Sequence, residues 1–274
     1  MMPWRFALGV RMETVAARSI FSPATGFIRR GGFDWTCNPY LGCSFGCEYC
    51  YAAFLPQNRR PVADWGRWFV AKANAGELAR RHAKKVAGQA VYMSSVTDPY
   101  LPAERSQFLT RGVLEALPAY QPRLVIQTRG PLVVRDIDLL RQFAAVRVNL
   151  SITTDSEEVR RAFEPKAPPL PRRWLAAGEL AAAGVPLGVC VTPTLPLADP
   201  LAFADRIARL NPAVVVVQQF HEASGFGADT GDAARRRLAD FRWGTAEYRG
   251  FVDLLQRHGV VYEGEAGFFP PEPR

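Results

Sequence analysis

Apolar positions alternate along this chain between two periods. Short runs that are continuously apolar or repeat every second residue predict strands at 33–40, 90–94, 124–128, 146–152, 185–191 and 213–218. A last short strand is predicted at 260–262. In the fourth run Val146, Val148, Leu150 and Ile152 fall on one face, and Val214 to Val217 reads as a buried strand. Between the strands, apolar residues recur every three to four positions and predict helices at 74–86, 104–117, 134–143, 171–183, 201–210 and 245–257. Leu78, His82 and Val86 share a face in the first of these. Pro171 opens the fourth and Gly184 ends it. Asp155-Ser-Glu-Glu158 reads as a capping box that starts a short helix, and another short helix is expected at 232–241. Six strands thus alternate with helices between Phe33 and Gln218, the pattern of repeated βα units on a parallel sheet. The valine-rich later strands suit a sheet buried on both faces. Periodicity alone fits an open doubly wound sheet and a partial barrel equally.

Composition narrows the class. The 274 residues are 48% hydrophobic and 22% charged, as in ordinary globular proteins and unlike disordered chains. No apolar run approaches the roughly 20 residues of a membrane helix, and the N-terminal apolar patch lacks a long signal-type core. The expected location is cytoplasmic, without a membrane partner. Net charge is +8, but all the basic residues except Lys72, Lys84, Lys85 and Lys166 are Arg. Such bias permits a nucleic-acid partner without demonstrating one. No strand is followed by Gly-x-Gly-x-x-Gly, and there is no phosphate-loop Gly-Lys-Ser/Thr.

The chemistry concentrates in the cysteines. Five Cys are too few for a disulfide scaffold, yet Cys37, Cys43, Cys47 and Cys50 crowd together, with Cys190 alone. The spacing Cys43-x3-Cys47-x2-Cys50 sets three thiolates on one short loop after the first predicted strand, with Gly42 and Gly46 to let the backbone turn tightly. Zinc and iron–sulfur clusters both favour such soft, anionic donors. A closed structural zinc site needs a fourth protein ligand, which Cys37 would have to supply from the strand. A cubane cluster on three Cys leaves one iron open.

That spacing, with an aromatic between the last two Cys, resembles the radical S-adenosylmethionine (SAM) superfamily. Asn38-Pro-Tyr40, Tyr49-Cys-Tyr51, Thr97-Asp-Pro-Tyr100 with Glu104, Val134-Arg-Asp136, Ser151-Ile-Thr-Thr154, Phe163-Glu-Pro165 and Gly188-Val-Cys-Val-Thr-Pro193 resemble its spore-photoproduct-lyase-like branch. The resemblance spans about residues 33–220. It implies a single domain, a partial (β/α)6 TIM-like barrel, with extensions at 1–32 and 221–274. It implies a [4Fe-4S] cluster on Cys43, Cys47 and Cys50, SAM on the open iron, and an external electron donor of the flavodoxin or ferredoxin type. The activity implied is reductive cleavage of SAM to a 5′-deoxyadenosyl radical that abstracts hydrogen from a substrate, with nucleic acid weakly favoured.

By motif order, the residues proposed to contact SAM are Tyr49, Thr97, Asp98, Arg129 and Ser151, with Arg129 as a carboxylate clamp. Tyr51 matches a radical-relaying tyrosine of the branch. One departure stands out: the hydrogen-donating Cys that spore photoproduct lyase carries just before its Ser/Thr-Asp motif is absent from Met93-Ser-Ser-Val-Thr-Asp98. A Ser O–H bond is too strong to replace it, which argues against thymine-dimer repair. Cys190, if it points into the barrel, is the alternative donor; its bland reading is a core thiol. His221 with Glu222 follows the sixth strand, near the expected barrel mouth. The competing class is a non-catalytic zinc- or cluster-bearing nucleic-acid-binding module.

Overall fold

The computed structural model describes residues 9–220 and 232–273; His221 and Glu222 lie outside them. Eleven strands are present among these residues: β1 Arg11–Val15, β2 Phe21–Pro23, β3 Trp35–Cys37, β4 Tyr40–Gly42, β5 Trp68–Lys72, β6 Ala90–Met93, β7 Arg123–Thr128, β8 Val146–Ser151, β9 Leu187–Val191, β10 Val214–Val217 and β11 Val261–Glu263. Eight form one sheet in the order β11-β10-β9-β8-β7-β6-β3-β2. Every pairing from β3 to β11 is parallel, and β2 adds antiparallel to β3. Strand after strand is added in sequence order with helices between, the architecture of a partial (β/α) barrel.

The register explains the valine-rich strands. Side chains alternate faces along a strand. Val91, Met93, Leu124, Ile126, Val146, Val148, Leu150, Val189 and Val191 join the main core against the helices. The alternate residues lie on the other face: Ala90, Tyr92 and Val125 pack with Ile28 and Phe33, and Cys190, Val214 and Val216 pack with Phe268 and Phe269. Both faces of the sheet are therefore covered, one by helices and the other by the two chain extensions. Buried Arg147 of β8 belongs to this second face; its guanidinium lies 4.8 Å from the Phe269 ring and donates to the Phe269 carbonyl.

Several elements differ from the sequence expectation. The run 33–40 is not one strand. It breaks at Asn38-Pro39, and β4 leaves the large sheet to pair antiparallel with β5, which pairs parallel with β1 in a separate three-stranded sheet. Pro39 has no N–H to continue a ladder. Neither β1 nor β5 is foreseen: β1 is largely exposed and mixes charged with apolar residues, and β5, though mostly buried, shows no regular alternation. The helix expected at 104–117 is two, Glu104–Gln107 and Leu109–Ala116, hinged at Phe108 with φ 51°. The buried Glu104 carboxylate causes the break by accepting the backbone N–H groups of Leu109, Thr110 and Arg111, so that it caps the second helix. The expected capping box shifts by one residue: Ser156 caps Glu157–Phe163, while Asp155 accepts from the N–H groups of Ala198 and Asp199. At the C-terminal end, the short strand expected at 260–262 is present as β11, one residue later, and extends the large sheet. No helix among the described residues is long and apolar enough to cross a membrane.

Candidate active site

The cysteine loop lies over the C-terminal ends of the parallel strands, where barrel sites form. Four ties hold it there. Thr97 Oγ1 donates to the Gly42 carbonyl at 2.6 Å, and the Tyr51 hydroxyl donates to the Ser95 carbonyl at 2.7 Å. Asn38, at the exit of β3, accepts from the Ser95 and Val96 N–H groups. The Glu48 N–H donates to the Phe163 carbonyl at 2.9 Å. Gly42 (φ +75°) and Gly46 (φ +61°) take left-handed turns. A methyl group on Gly42 would sit 2.5 Å from the Trp68 ring, and one on Gly46 would sit 2.9 Å from the Gly66 Cα. The loop can close this tightly only with glycine at both positions.

Within the loop, Cys43 and Cys47 are buried and Cys50 is half-buried. Burial raises all three thiol pKa values: Cys47 to about 12, Cys43 well above the ordinary value, and Cys50 to a lesser extent. Each of Cys43 and Cys47 also feels Cys50 as a like charge, so the three thiols are neighbours. Ser44 Oγ, in the same loop, is buried without a hydrogen-bond partner. Among the described residues no three His, Cys, Asp or Glu converge tightly enough to hold one metal ion. A single tetrahedral ion needs its donors about 2.3 Å from one point, whereas a cluster accepts thiolates on separate irons. Three soft thiolates with no fourth protein ligand beside them suit a cluster that keeps one iron open better than a closed zinc site. Cys37 stands apart, buried in the β3 ladder, with Lys72 as its charged neighbour.

Behind the loop sits a buried carboxylate, Glu164. It accepts from Arg173 Nη2, the Tyr49 hydroxyl, Arg129 Nη1 at 2.6 Å and Thr153 Oγ1 at 2.7 Å. Desolvation alone would raise its pKa, but Arg173 and Arg129 outweigh it and hold the carboxyl at about 2. Arg129 also donates to the Tyr49 hydroxyl at 2.7 Å. Its remaining donors, Nε and Nη2, have no partner among the described residues. Thr97 and Asp98 lie at the end of β6. Both Asp98 oxygens are engaged, accepting from the Tyr100 N–H, Thr128 Oγ1 and the Arg129 N–H at 2.7–2.9 Å; burial raises this carboxyl's pKa. Asp98 therefore sets the backbone of Arg129.

On the covered face of the sheet, Gln127 links three strands. Its Nε2 donates to Ser151 Oγ at 2.9 Å, and its Oε1 lies 3.4 Å from the Tyr92 hydroxyl and 3.8 Å from Cys190 Sγ. Cys190 thus points to the face shared with Tyr92, and burial raises its pKa to about 12. Tyr51 packs edge-on against Phe27 with ring centroids 5.6 Å apart, and it acts electrostatically on Tyr92. The structure brings Tyr49, Arg129 and the three loop thiols together on one side, and Ser151, Cys190, Gln127 and Tyr92 together beneath. Sequence reasoning gave Glu164, Gln127 and Tyr92 no role. Glu164 had a signal in Phe163-Glu-Pro165; Gln127 and Tyr92 had only their parity on strands.

Replacement of Glu164 by Gln strips Arg173, itself fully buried, of its counter-charge. The expected cost is about 3–5 kcal/mol of stability, read from urea unfolding. Because the folded carboxyl titrates at about 2 against an ordinary 4.5, its contribution is complete above about pH 4.5 and fades as pH falls toward 2. The Gln variant should lose that part of the acid slope; an unchanged slope would count against the buried ion pairs.

Comparison with known proteins places this geometry. The model of the radical SAM superfamily matches residues 37–207. An uncharacterised protein of Methanocaldococcus jannaschii is 33% identical over 60% of this chain and 62% of its own length. Another, of Acidianus two-tailed virus, is 34% identical over 59% of this chain and 56% of its own. The chain thus spans somewhat over half the length of these relatives. Among solved structures, a spore photoproduct lyase variant with bound SAM and dinucleoside spore photoproduct superposes with TM-score 0.62 at 16% identity, covering 92% of this chain and 81% of that one. SuiB of Streptococcus suis bound to SAM gives 0.51 at 15% identity, over 86% and 52%. At such identities the likeness is one of fold. With the family model covering more than half its length, this chain belongs to the radical SAM superfamily.

Proposed function

We propose that this enzyme holds a [4Fe-4S] cluster on Cys43, Cys47 and Cys50, binds SAM beside it, and returns a hydrogen atom to its substrate from Cys190. The observation that carries this reading is the trio of neighbouring thiols on the glycine-bearing loop over the strand ends, next to Arg129. With both cofactors bound, one-electron reduction would cleave SAM to methionine and a 5′-deoxyadenosyl radical that takes a hydrogen atom from the substrate. The protein's part is to hold, orient and exclude water. The unengaged Nε and Nη2 of Arg129 are suited to a SAM carboxylate as a bidentate fork. Tyr49, fixed by Glu164 and Arg129, offers its ring as a wall for the adenine. Ser151, Thr97 and Asp98 position these groups, with the Ser151 hydroxyl also close enough to the strand ends to meet SAM.

Cys190 suits hydrogen-atom donation because burial keeps its thiol protonated at neutral pH. Donation breaks its S–H bond and leaves a thiyl radical. Tyr92, on the same Gln127 oxygen as Cys190, and Tyr51 at the loop provide O–H groups through which the thiyl would regain a hydrogen atom from 5′-deoxyadenosine, whose 5′-carbon would become the radical again. The substrate class remains a proposal: a nucleic-acid-related molecule is consistent with the fold neighbours and with the net charge. An electron donor of the flavodoxin or ferredoxin type and a cytoplasmic location accompany this reading.

Anaerobic reconstitution should give about four irons per chain and 5′-deoxyadenosine on reduction. One zinc per chain and no deoxyadenosine would support a non-catalytic binding module instead. Arg129→Ala should weaken SAM binding about 10–100-fold, the loss of one or two charged hydrogen bonds, measured by titration of the reconstituted protein; unchanged affinity would reject the clamp. Cys190→Ala should still form deoxyadenosine with substrate present while the substrate radical goes unquenched, giving abnormal products by mass spectrometry. Normal product from that variant would exclude Cys190 as the donor.

A further inference from the structure

The face of the sheet turned away from the helices carries a cation without a counter-charge. Three Arg are buried among the described residues. Arg160 pairs with Glu157 and Arg173 with Glu164, but Arg147 pairs with no carboxylate. The buried carboxylates Asp98, Glu104, Asp136 and Glu164 are all held by other groups. Arg147 is 3% exposed and makes two hydrogen bonds, from Nε to Asn149 Oδ1 at 2.9 Å and from Nη2 to the Phe269 carbonyl at 2.6 Å. Its Nη1 has no partner among the described residues. Its charge is felt by Cys190 and Tyr92, a thiol and a phenol on the same face. Asn149 is fully buried, and its Nδ2 has no hydrogen-bond partner. A guanidinium can only donate, so the Asn149 oxygen must face Arg147, and the amide nitrogen is left without an acceptor. Gly188, paired with Asn149 on β9, leaves room for that amide, because a methyl group there would collide with Asn149 Oδ1. The unanswered groups are thus a buried cation and a buried donor, each costly to leave alone. A water molecule accepts hydrogen bonds but supplies no charge, whereas an oxyanion supplies both.

We propose that Arg147 and Asn149 recognise the substrate by an anionic oxygen group, a carboxylate or a phosphate, held inside the barrel below Cys190. The inference rests on the reading above, which brings the substrate to Cys190. Ser151 is the register partner of Cys190, and Asn149 and Arg147 stand two and four residues before it on β8. By the rise of a strand these are distances of about 7 and 13 Å. A molecule that presents its reacting carbon to Cys190 therefore meets Asn149 and Arg147 with its far end. Arg129, just past the end of β7, serves the SAM carboxylate in the same reading. The two anion receptors thus stand toward opposite ends of the strands, one for the cofactor and one for the substrate. A neutral molecule of the same shape would leave the Arg147 charge unanswered, so the site selects for charge as well as for size.

The test uses the reconstituted full chain, loaded with SAM and left unreduced so that the Arg129 clamp is occupied. Inorganic phosphate and acetate are the probes, titrated calorimetrically into the unsubstituted protein and its Arg147→Met and Asn149→Leu variants, with melting temperature and iron content as controls. The expected result is anion binding weakened about tenfold or more in Arg147→Met and several-fold in Asn149→Leu, the loss of charged hydrogen bonds. Tighter binding of phosphate would assign a phosphoester substrate, and tighter binding of acetate a carboxylate. Should Arg147→Met misfold, Asn149→Leu and Arg147→Lys, which keeps the charge but not the fork, decide the matter by the same loss. Equal affinity in the unsubstituted protein and these variants, or no measurable binding of either anion, would overturn the proposal and leave the enzyme reading intact. A lower melting temperature with unchanged anion affinity would give Arg147 a structural role only, as the anchor of Phe269, and would overturn it too. If anion binding needs Arg147 but reduction yields no 5′-deoxyadenosine, the enzyme reading fails and the substrate assignment falls with it.

Discussion

One buried carboxylate governs the arrangement of this site. Glu164 lies in a region that excludes water, where an isolated charge would be untenable. Arg173 and Arg129 neutralise it, and Tyr49 and Thr153 satisfy its remaining lone pairs. Because each partner comes from a different part of the chain, the carboxylate sets the distances between them. Arg129 is held at the end of β7, Tyr49 within the cysteine loop, Thr153 just past β8, and Arg173 on the helix Leu170–Ala182. The loop cannot lift from the strand ends without exposing this network or leaving a charge unpaired.

A second polar frame works alongside the first at a lower level. Buried Glu104 accepts from Tyr40, from three backbone N–H groups and from Arg135, and Arg135 in turn pairs with Asp136. Asp98 spans from β6 to β7 in the same manner. Several motifs that carry the family resemblance are therefore framing groups. They fix where backbone turns and a few side chains stand, while Nε and Nη2 of Arg129 stay unengaged among the described residues. The distinction depends on partners: a carboxylate with both oxygens filled has little left to offer a ligand.

How much was legible in the sequence follows from the range of each interaction. The central strands were readable because burial on both faces forces Val and Ile into short runs. The helix Leu170–Ala182 was readable because Pro and Gly mark its ends locally. By contrast, the break at Phe108 is imposed by a Glu104 carboxylate that becomes a cap only when the two turns meet in space. The departure of β4 into a separate sheet depends on β5, some thirty residues downstream, whose own pattern is too short to stand out. Cys190 could be read as core or as donor, because strand parity alone does not say which face is the barrel interior.

What the sequence determined by itself is the chemistry at short range: three thiols spaced on one glycine-bearing turn, and a chain of βα units to carry it. Spacing of a few residues constrains geometry directly, since the backbone links the groups. Only the tertiary structure decided that Asp98 braces Arg129, that Glu164 unites four segments, and that Cys190 shares a face with Tyr92. Those relations join residues from nine to more than a hundred positions apart. They are fixed by the sheet register and by the rule that buried charges and donors must find partners, and no local pattern records which partner that will be.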